Sequence, residues 1–178
     1  MILMCKKRNI YTIAELNLAL MACFNKLNED FFGSELQKVI ITLEEGYNKH
    51  AYGWINAKKD WKQGKEERYH INISSDYLNR NIDDVVATLL HEMCHLYALQ
   101  NEIKDTSRSG IYHNKKFAEI ARTHGLDVEG ESQIGHRTHC SEQLREWCKD
   151  NCTIKEIWTI VNKVDKQKNK IYRKFTSA

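Results

Sequence analysis

Three residues near the middle of the chain have the types and spacing of a zinc hydrolase site. His91, Glu92 and His95 form the pattern H-E-x-x-H. In a helix, residues i and i+4 lie on one face about 6 Å apart along the axis, so both imidazoles can bind one Zn²⁺. Glu92 lies about 100° round the helix, where its carboxylate can reach a metal-activated water without binding the metal. The pattern therefore predicts one zinc ion per chain and hydrolysis of a carbonyl compound, with Glu92 as the general base.

A catalytic zinc ion needs a third protein ligand and one open position. The extended pattern H-E-x-x-H-x-x-G-x-x-H is excluded, because Ala98 and Asn101 stand where it requires glycine and histidine. His113 is the favoured third ligand, because its spacing to later apolar residues of a predicted helix places it on the face that packs against the core. Four further candidates remain open: Glu119, His124, His136 and His139.

The composition is typical of a folded, soluble chain. Its 178 residues are 42% hydrophobic and 29% charged, which is enough for a domain with a real core. No apolar run approaches the ~20 residues that span a membrane, and the first residues lack a secretory pattern, so we expect a cytoplasmic protein. Six cysteines have irregular spacing without any C-x-x-C pair. They are expected to be mostly buried free thiols, not a disulfide framework.

Hydrophobic periodicity predicts the α+β fold class. A capping-box pattern formed by Thr12 and Glu15 opens an amphipathic helix, and Gly33 is its expected end. The H-E-x-x-H pattern lies on a second helix that is apolar round most of its circumference, which indicates burial. The elements predicted after the first helix are strands over 39–43, 51–56 and 68–74, the buried helix over 83–100, a loop over 101–112, and helices over 114–124 and 141–152.

The two candidate motifs together resemble the SprT-like metallopeptidases, a family that includes bacterial SprT proteins and the eukaryotic DNA-dependent protease Spartan. The family pattern is H-E-x-x-H followed by H-G-x-x-F, and residues 113–117 of this chain read H-N-K-K-F. The resemblance covers about residues 12–125. Asn114 stands where the family usually has glycine, and the C-terminal zinc ribbon that many members build from C-x-x-C pairs has no counterpart in this sequence.

The resemblance implies a zincin-like fold: an N-terminal helix, a small three-stranded sheet, the buried H-E-x-x-H helix and a following ligand-bearing helix. It also implies that His91, His95 and His113 are the zinc ligands and that Glu92 is the general base. By analogy with zincins, the strand over 68–74 is expected to pair with an extended substrate. The group that stabilises the developing oxyanion is left open among Tyr52, Tyr112 and His124.

The charge is unevenly distributed along the chain. Residues 155–178 carry seven basic and two acidic side chains, whereas the formal net charge of the whole chain is only +3. We therefore predict a zincin-like metallopeptidase domain over 1–128 and a helical extension over 129–178 that ends in a basic tail. The tail residues expected to contact nucleic acid are Lys163, Lys166, Lys168, Lys170, Arg173 and Lys174.

These observations predict a zinc-dependent peptidase that acts on unfolded or DNA-associated proteins, with DNA as a possible partner and no membrane. An alternative hypothesis is a nucleic-acid-binding module whose zinc site is structural or inactive. A second alternative is a zinc amidase that acts on small molecules in a closed pocket. A nucleobase deaminase is excluded, because the sequence lacks the H-x-E and P-C-x-x-C patterns of that class.

Overall fold

The elements of the fold are taken from a computed structural model, which describes residues 12–45 and 51–152. Over those residues the chain is α+β, as predicted, with four α-helices and nine short strands. The helices are α1 (Ile13–Phe32), α2 (Ile82–Gln100), α3 (Lys115–Thr123) and α4 (Glu142–Asn151). The strands are β1 (Ile40–Glu44), β2 (Gly53–Ile55), β3 (Trp61–Gln63), β4 (Glu66–Arg68), β5 (His70–Ser74), β6 (Thr106–Ser107), β7 (Tyr112–His113), β8 (Leu126–Ser132) and β9 (Gly135–Cys140).

Helix α1 begins and ends where the sequence predicts. The Thr12 hydroxyl accepts a hydrogen bond from the Glu15 N–H, and the Glu15 carboxylate accepts one from the Thr12 N–H, so the capping box is formed. Gly33 ends the helix with φ of +59°, a left-handed conformation that glycine adopts without a steric penalty. The buried face of α1 consists of Leu16, Leu20, Cys23, Phe24, Leu27 and Phe32.

Helix α2 lies at the centre of the core. Helices α1, α3 and α4, together with strands β2 and β9, pack round it. Leu89, Leu90, Met93 and Leu96 have no exposed surface, which confirms the predicted burial of this helix. No helix in the described part of the chain is long and apolar enough to cross a membrane.

The three strands predicted before α2 form one small sheet in the order β1-β5-β2. Strand β1 pairs in parallel with β5, and β2 pairs with the other edge of β5 in antiparallel orientation. All five residues of β5 are buried. Two of its polar side chains share a partner: the Thr42 hydroxyl of β1 lies 2.7 Å from His70 Nε2 and donates to Asn72 Oδ1 at 3.0 Å. The central strand is therefore β5, with β1 and β2 at the two edges.

Other strands lie where the sequence predicts a loop or a helix. Strands β3 and β4 form an exposed hairpin between β2 and β5. Strands β6 and β7 lie in the predicted loop over 101–112 and join β8 and β9 in a four-stranded sheet of order β6-β7-β9-β8. Much of the β8–β9 surface is polar, as in the contact of His139 Nε2 with Glu129 Oε1 at 3.2 Å, so it carries little apolar alternation.

The helical extension predicted from residue 129 is therefore wrong for residues 129–140, which belong to β8 and β9 and the turn between them. Strand β8 also runs through the boundary predicted between residues 128 and 129, pairing with β9 on both sides of it. Helical structure resumes only in α4, where the Ser141 hydroxyl accepts a hydrogen bond from the Leu144 N–H and caps the helix. The basic tail lies outside the described residues.

Asn114 begins helix α3. Its side-chain oxygen accepts hydrogen bonds from the N–H groups of Lys116 at 2.8 Å and Phe117 at 3.2 Å, and its Nδ2 donates to the Lys104 carbonyl at 2.8 Å. The backbone is extended, with φ of −86° and ψ of −176°, a conformation open to any residue. The position therefore needs no glycine, and asparagine supplies the helix cap directly.

Replacing Asn114 with alanine is expected to lower the free energy of unfolding by about 1 kcal/mol, because two N–H groups of the first turn lose their acceptor. Asn114→Asp keeps that acceptor and loses only the bond to Lys104, so it should lose less stability than Asn114→Ala. Urea unfolding of the metal-free chain, followed by circular dichroism, measures both values. Equal losses in the two variants would show that the cap is not the source of the stability.

Candidate metal centre

Two histidines of α2 lie one helical turn apart with their ring nitrogens close together. His91 Nε2 is 3.2 Å from His95 Nε2, and both side chains are half-buried on the side of the helix that faces β9 and β7. The rings meet edge to face, with centroids 4.9 Å apart. Two imidazoles in this arrangement direct their Nε2 lone pairs at one point, as the i, i+4 spacing predicts.

His113 reaches the same point from strand β7. Its Nε2 is 3.2 Å from His95 Nε2, and the three ligand atoms all lie within 4.8 Å of one another. The prediction placed His113 on the inward stripe of the following helix; the structure places it before the Asn114 cap, where its N–H donates to the Ile134 carbonyl at 3.0 Å. Pairing between β7 and β9 therefore sets the position of His113.

Two of the three separations between the ligand nitrogens match those of a tetrahedral metal site. Zinc–nitrogen bonds of about 2.0–2.1 Å at tetrahedral angles separate two ligand nitrogens by about 3.3 Å. The two 3.2 Å separations match that value. His91, His95 and His113 form the one such cluster among the described residues, and together they could hold a metal ion.

Two further side chains hold the ring orientations of the α2 histidines. Asp105 Oδ2 lies 2.5 Å from His95 Nδ1, and the Thr138 hydroxyl lies 2.7 Å from His91 Nδ1. If Nδ1 of each ring donates, Nε2 is left as the lone-pair nitrogen that a metal requires. Sequence reasoning missed both partners, because Asp105 follows in the loop after α2 and Thr138 lies on an unpredicted strand.

Burial keeps the imidazoles of His91 and His113 neutral. It lowers the pKa of His91 well below its usual value, with smaller contributions from His95 and His113. Burial, followed by the proximity of His95, lowers the pKa of His113 to about 4. Neutral imidazole is the form that binds a metal ion, so these two rings need no proton loss at neutral pH.

Glu92 lies beside the cluster on α2 and is 5% exposed. Burial raises the pKa of its carboxyl group to about 7, because the charged form is disfavoured away from water. A carboxyl group whose pKa lies near neutral can both accept and return a proton at neutral pH. Its side chain and the three histidines line one cavity of about 980 Å³.

The other candidate ligands lie outside the cluster. Glu119 is exposed on α3, in a separate depression with Lys115 and Arg122. The His124 ring stacks on Phe32 with centroids 4.1 Å apart, and its Nδ1 lies 2.7 Å from the Phe31 carbonyl, so it joins the ends of α3 and α1.

His136 and His139 lie on β9, where both interact with Glu129 of β8. Cys94 is fully buried in the core, and burial raises the pKa of its thiol. The cysteines of the described residues are all buried and free, as predicted: Cys23, Cys94, Cys140, Cys148 and Cys152.

The strand beside the cavity is β2, not β5. The prediction that the strand over 68–74 pairs with substrate is wrong, because β5 already has β1 and β2 on its two edges. The Tyr52 carbonyl and the Asn56 N–H form hydrogen bonds with β5. Because hydrogen-bonded and non-hydrogen-bonded pairs alternate along an antiparallel ladder, the N–H and C=O groups of Gly53 and Ile55 point away from β5. Among the described residues β2 has no partner on that side.

The oxyanion candidates differ in their distance from this cavity. Tyr52 lines it, and its ring lies 4.1 Å from the guanidinium carbon of Arg80, which lines it too. Tyr112 packs under the Arg108 guanidinium, and His124 lies at the far end of α3; neither belongs to the cavity wall. Tyr52 is therefore the remaining candidate of the three.

Comparison with known proteins identifies the family of the chain. A model of the SprT-like family matches residues 20–135, more than half of the chain, and the matched part contains all three clustered histidines and Glu92. No curated protein and no solved structure matches the chain. On the family match, the chain belongs to the SprT-like family.

Proposed function

We propose that this protein is a zinc-dependent peptidase of the zincin type, which hydrolyses peptide bonds in unfolded or DNA-associated proteins. One observation carries the proposal: three imidazole nitrogens converge in a cavity that also contains the buried carboxyl group of Glu92.

The donor set favours zinc. Three imidazoles, two of them fixed by Asp105 and Thr138, are a donor set that suits a catalytic zinc ion, which keeps one position for water or substrate. When bound there, zinc supplies a water of lowered pKa and polarises the scissile carbonyl. The residues His91, His95 and His113 would hold the ion.

Glu92 is the proposed general base. Its carboxylate takes a proton from the attacking water and then delivers that proton to the amine of the leaving group. Burial supports both steps, because it raises the pKa of Glu92 to about 7, so that the ionised and the protonated carboxyl group are both populated at neutral pH. Tyr52, on the cavity wall, is the proposed donor to the developing oxyanion.

The edge of β2 favours an extended polypeptide as substrate. The outward N–H and C=O groups of Gly53 and Ile55 can pair with an added strand. A folded protein rarely offers a free extended segment, so the substrate is expected to be unfolded or locally unfolded. This edge favours a peptide over a small amide, which would not use the backbone pairing.

Zinc binding is expected to depend on His113 and not on Glu119. His113→Ala should lose one of three ligands and with it most of the bound zinc, whereas Glu119→Ala should keep one zinc per chain because Glu119 is exposed on α3. Elemental analysis after equilibration with buffered zinc measures the metal content. Full zinc in His113→Ala with loss in Glu119→Ala would make the ligand assignment wrong.

Glu92→Gln should separate metal binding from chemistry. Because Glu92 is not a ligand, the variant should keep its zinc and its melting temperature, yet lose about 10²- to 10⁴-fold in kcat, the usual contribution of a general base. Cleavage of a fluorescently labelled, chemically unfolded protein measures turnover. Turnover near the wild-type rate would remove Glu92 from the mechanism, and a wild-type chain that binds zinc without any cleavage would favour the nucleic-acid-binding alternative.

Association with DNA is proposed to depend on the six basic residues of the tail. Each phosphate neutralised on a single strand changes the log–log salt slope of binding by about −0.7, so deleting residues 163–178 should flatten the slope by roughly 3 units if four side chains engage. Zinc content should not change, because the proposed ligands lie at or before residue 113. Binding of both chains to single-stranded DNA across a salt series measures the slopes, and equal slopes would contradict a role for the tail.

A further inference from the structure

Two glycines lie directly against the groups proposed to bind zinc and to move the proton. Gly135 of β9 contacts the backbone of His113, and Gly53 of β2 faces the Glu92 carboxylate. We infer that Gly135 positions His113 and that Gly53 positions Glu92, each because it has no side chain. The inference rests on the proposed function and names two positioning residues within that same site.

Gly135 permits an unusually close approach of β9 to β7. A Cβ atom at this position would overlap the His113 carbonyl oxygen and would lie 2.7 Å from the His113 nitrogen and 2.9 Å from its carbonyl carbon. Gly135 also has φ of +85°, which residues with a side chain rarely adopt. Both the contact and the backbone conformation therefore require glycine.

This contact lies where His113 is held. His113 and Gly135 are the paired residues of β7 and β9, and the neighbouring Ile134 carbonyl accepts the His113 N–H at 3.0 Å. A methyl group on residue 135 must push the His113 backbone away from β9. Metal sites tolerate shifts of only about 0.2 Å in ligand distance. A larger shift of the His113 backbone therefore moves His113 Nε2 away from the point where the three ligand nitrogens meet.

Gly53 acts on the other side of the cavity. A Cβ atom there would lie 3.0 Å from Thr88 Cγ2, 3.0 Å from the Asn72 carbonyl oxygen and 3.2 Å from Glu92 Oε1. The Asn72 oxygen belongs to the neighbouring strand and cannot yield easily.

Thr88 is held as well, because its hydroxyl donates to the Asp84 carbonyl at 3.0 Å and accepts from Arg80 Nη1 at 3.1 Å. The end of the Glu92 side chain is the part free to move. A methyl group on residue 53 would therefore displace the carboxylate while leaving the three histidines in place.

The two substitutions should have different effects. Gly135→Ala should weaken zinc affinity by about 100-fold, the upper range for groups that hold a metal ligand in place. Gly53→Ala should keep zinc affinity but lower kcat by about 10- to 100-fold, because misplacing a catalytic group by about 1 Å costs on the order of 100-fold. A general loss of folding would change both properties together.

Each variant has a matched control elsewhere in the chain. Gly125 has φ of +89°, and a Cβ there would overlap the ring of Phe31, so Gly125→Ala combines a similar backbone conformation and steric conflict away from the metal centre. Gly130 has open space around its Cβ position, so Gly130→Ala controls for the loss of a strand glycine without a clash.

The experiment measures zinc affinity by competition with a chromophoric chelator, the melting temperature of each metal-free chain, and kcat and KM on the unfolded substrate. The inference is supported if Gly135→Ala loses zinc affinity while Gly125→Ala, at equal or greater loss of melting temperature, keeps it. It is contradicted if Gly135→Ala binds zinc like the wild type, if both variants lose zinc in proportion to stability, or if Gly135→Ala does not fold, since the glycine would then serve the fold.

For Gly53, a fall in kcat with unchanged zinc affinity, and no such fall in Gly130→Ala, supports the positioning role. An unchanged kcat, or a fall accompanied by loss of zinc, contradicts it. These outcomes are distinct from failure of the proposed function, which would appear as a wild-type chain that binds no zinc or cleaves no unfolded protein.

Discussion

The burial of a polar cluster on an apolar helix is the constraint on which the rest of this structure depends. Helix α2 must lie in the core because most of its faces are apolar, and it carries His91, Glu92 and His95 with it. Buried polar groups without partners cost several kcal/mol each, so the surrounding chain must satisfy them. Asp105 and Thr138 do so for the two histidines, from elements that lie 10 and 47 residues away in sequence from the rings they contact.

This requirement explains why the β8–β9 hairpin belongs with the metal centre. Strand β9 supplies Thr138 to the first α2 histidine, and it pairs with β7 at the residue that brings in the third ring. A chain that ended at residue 128 would keep all three histidines and lose the strand that fixes two of them. The residues after α3 therefore complete the site although none of them is a proposed ligand.

The parts of the fold predicted from sequence are those set by local spacing. The i, i+4 histidines, the capping box of α1 and the apolar faces of α1 and α2 depend on residues within a few turns of one another, and the structure has them where expected. The central place of β5 was missed because it depends on parallel pairing with β1, some thirty residues earlier in the chain. The β8–β9 hairpin was missed because its polar exposed residues give no clear apolar alternation, and Asp105 because a loop brings it to His95.

Gly53 and Gly135 were missed for a different reason, which is that neither has a side chain. The type of a side chain identifies groups that can bind or react, whereas these two glycines allow close approach of the backbone to His113 and Glu92. Which groups lie next to a glycine is known only once the strands are paired. The electrostatics depend on the same pairing. The burial that keeps His91 and His113 neutral also raises the pKa of Glu92, so one desolvated cavity produces both metal-binding imidazoles and a carboxyl group near its titration point. The proposed zinc ion would add positive charge beside that carboxyl group, which favours its ionised form. The cation that the imidazoles bind would thus also hold Glu92 in the carboxylate form that accepts a proton, and this couples the two halves of the site through charge as well as through position.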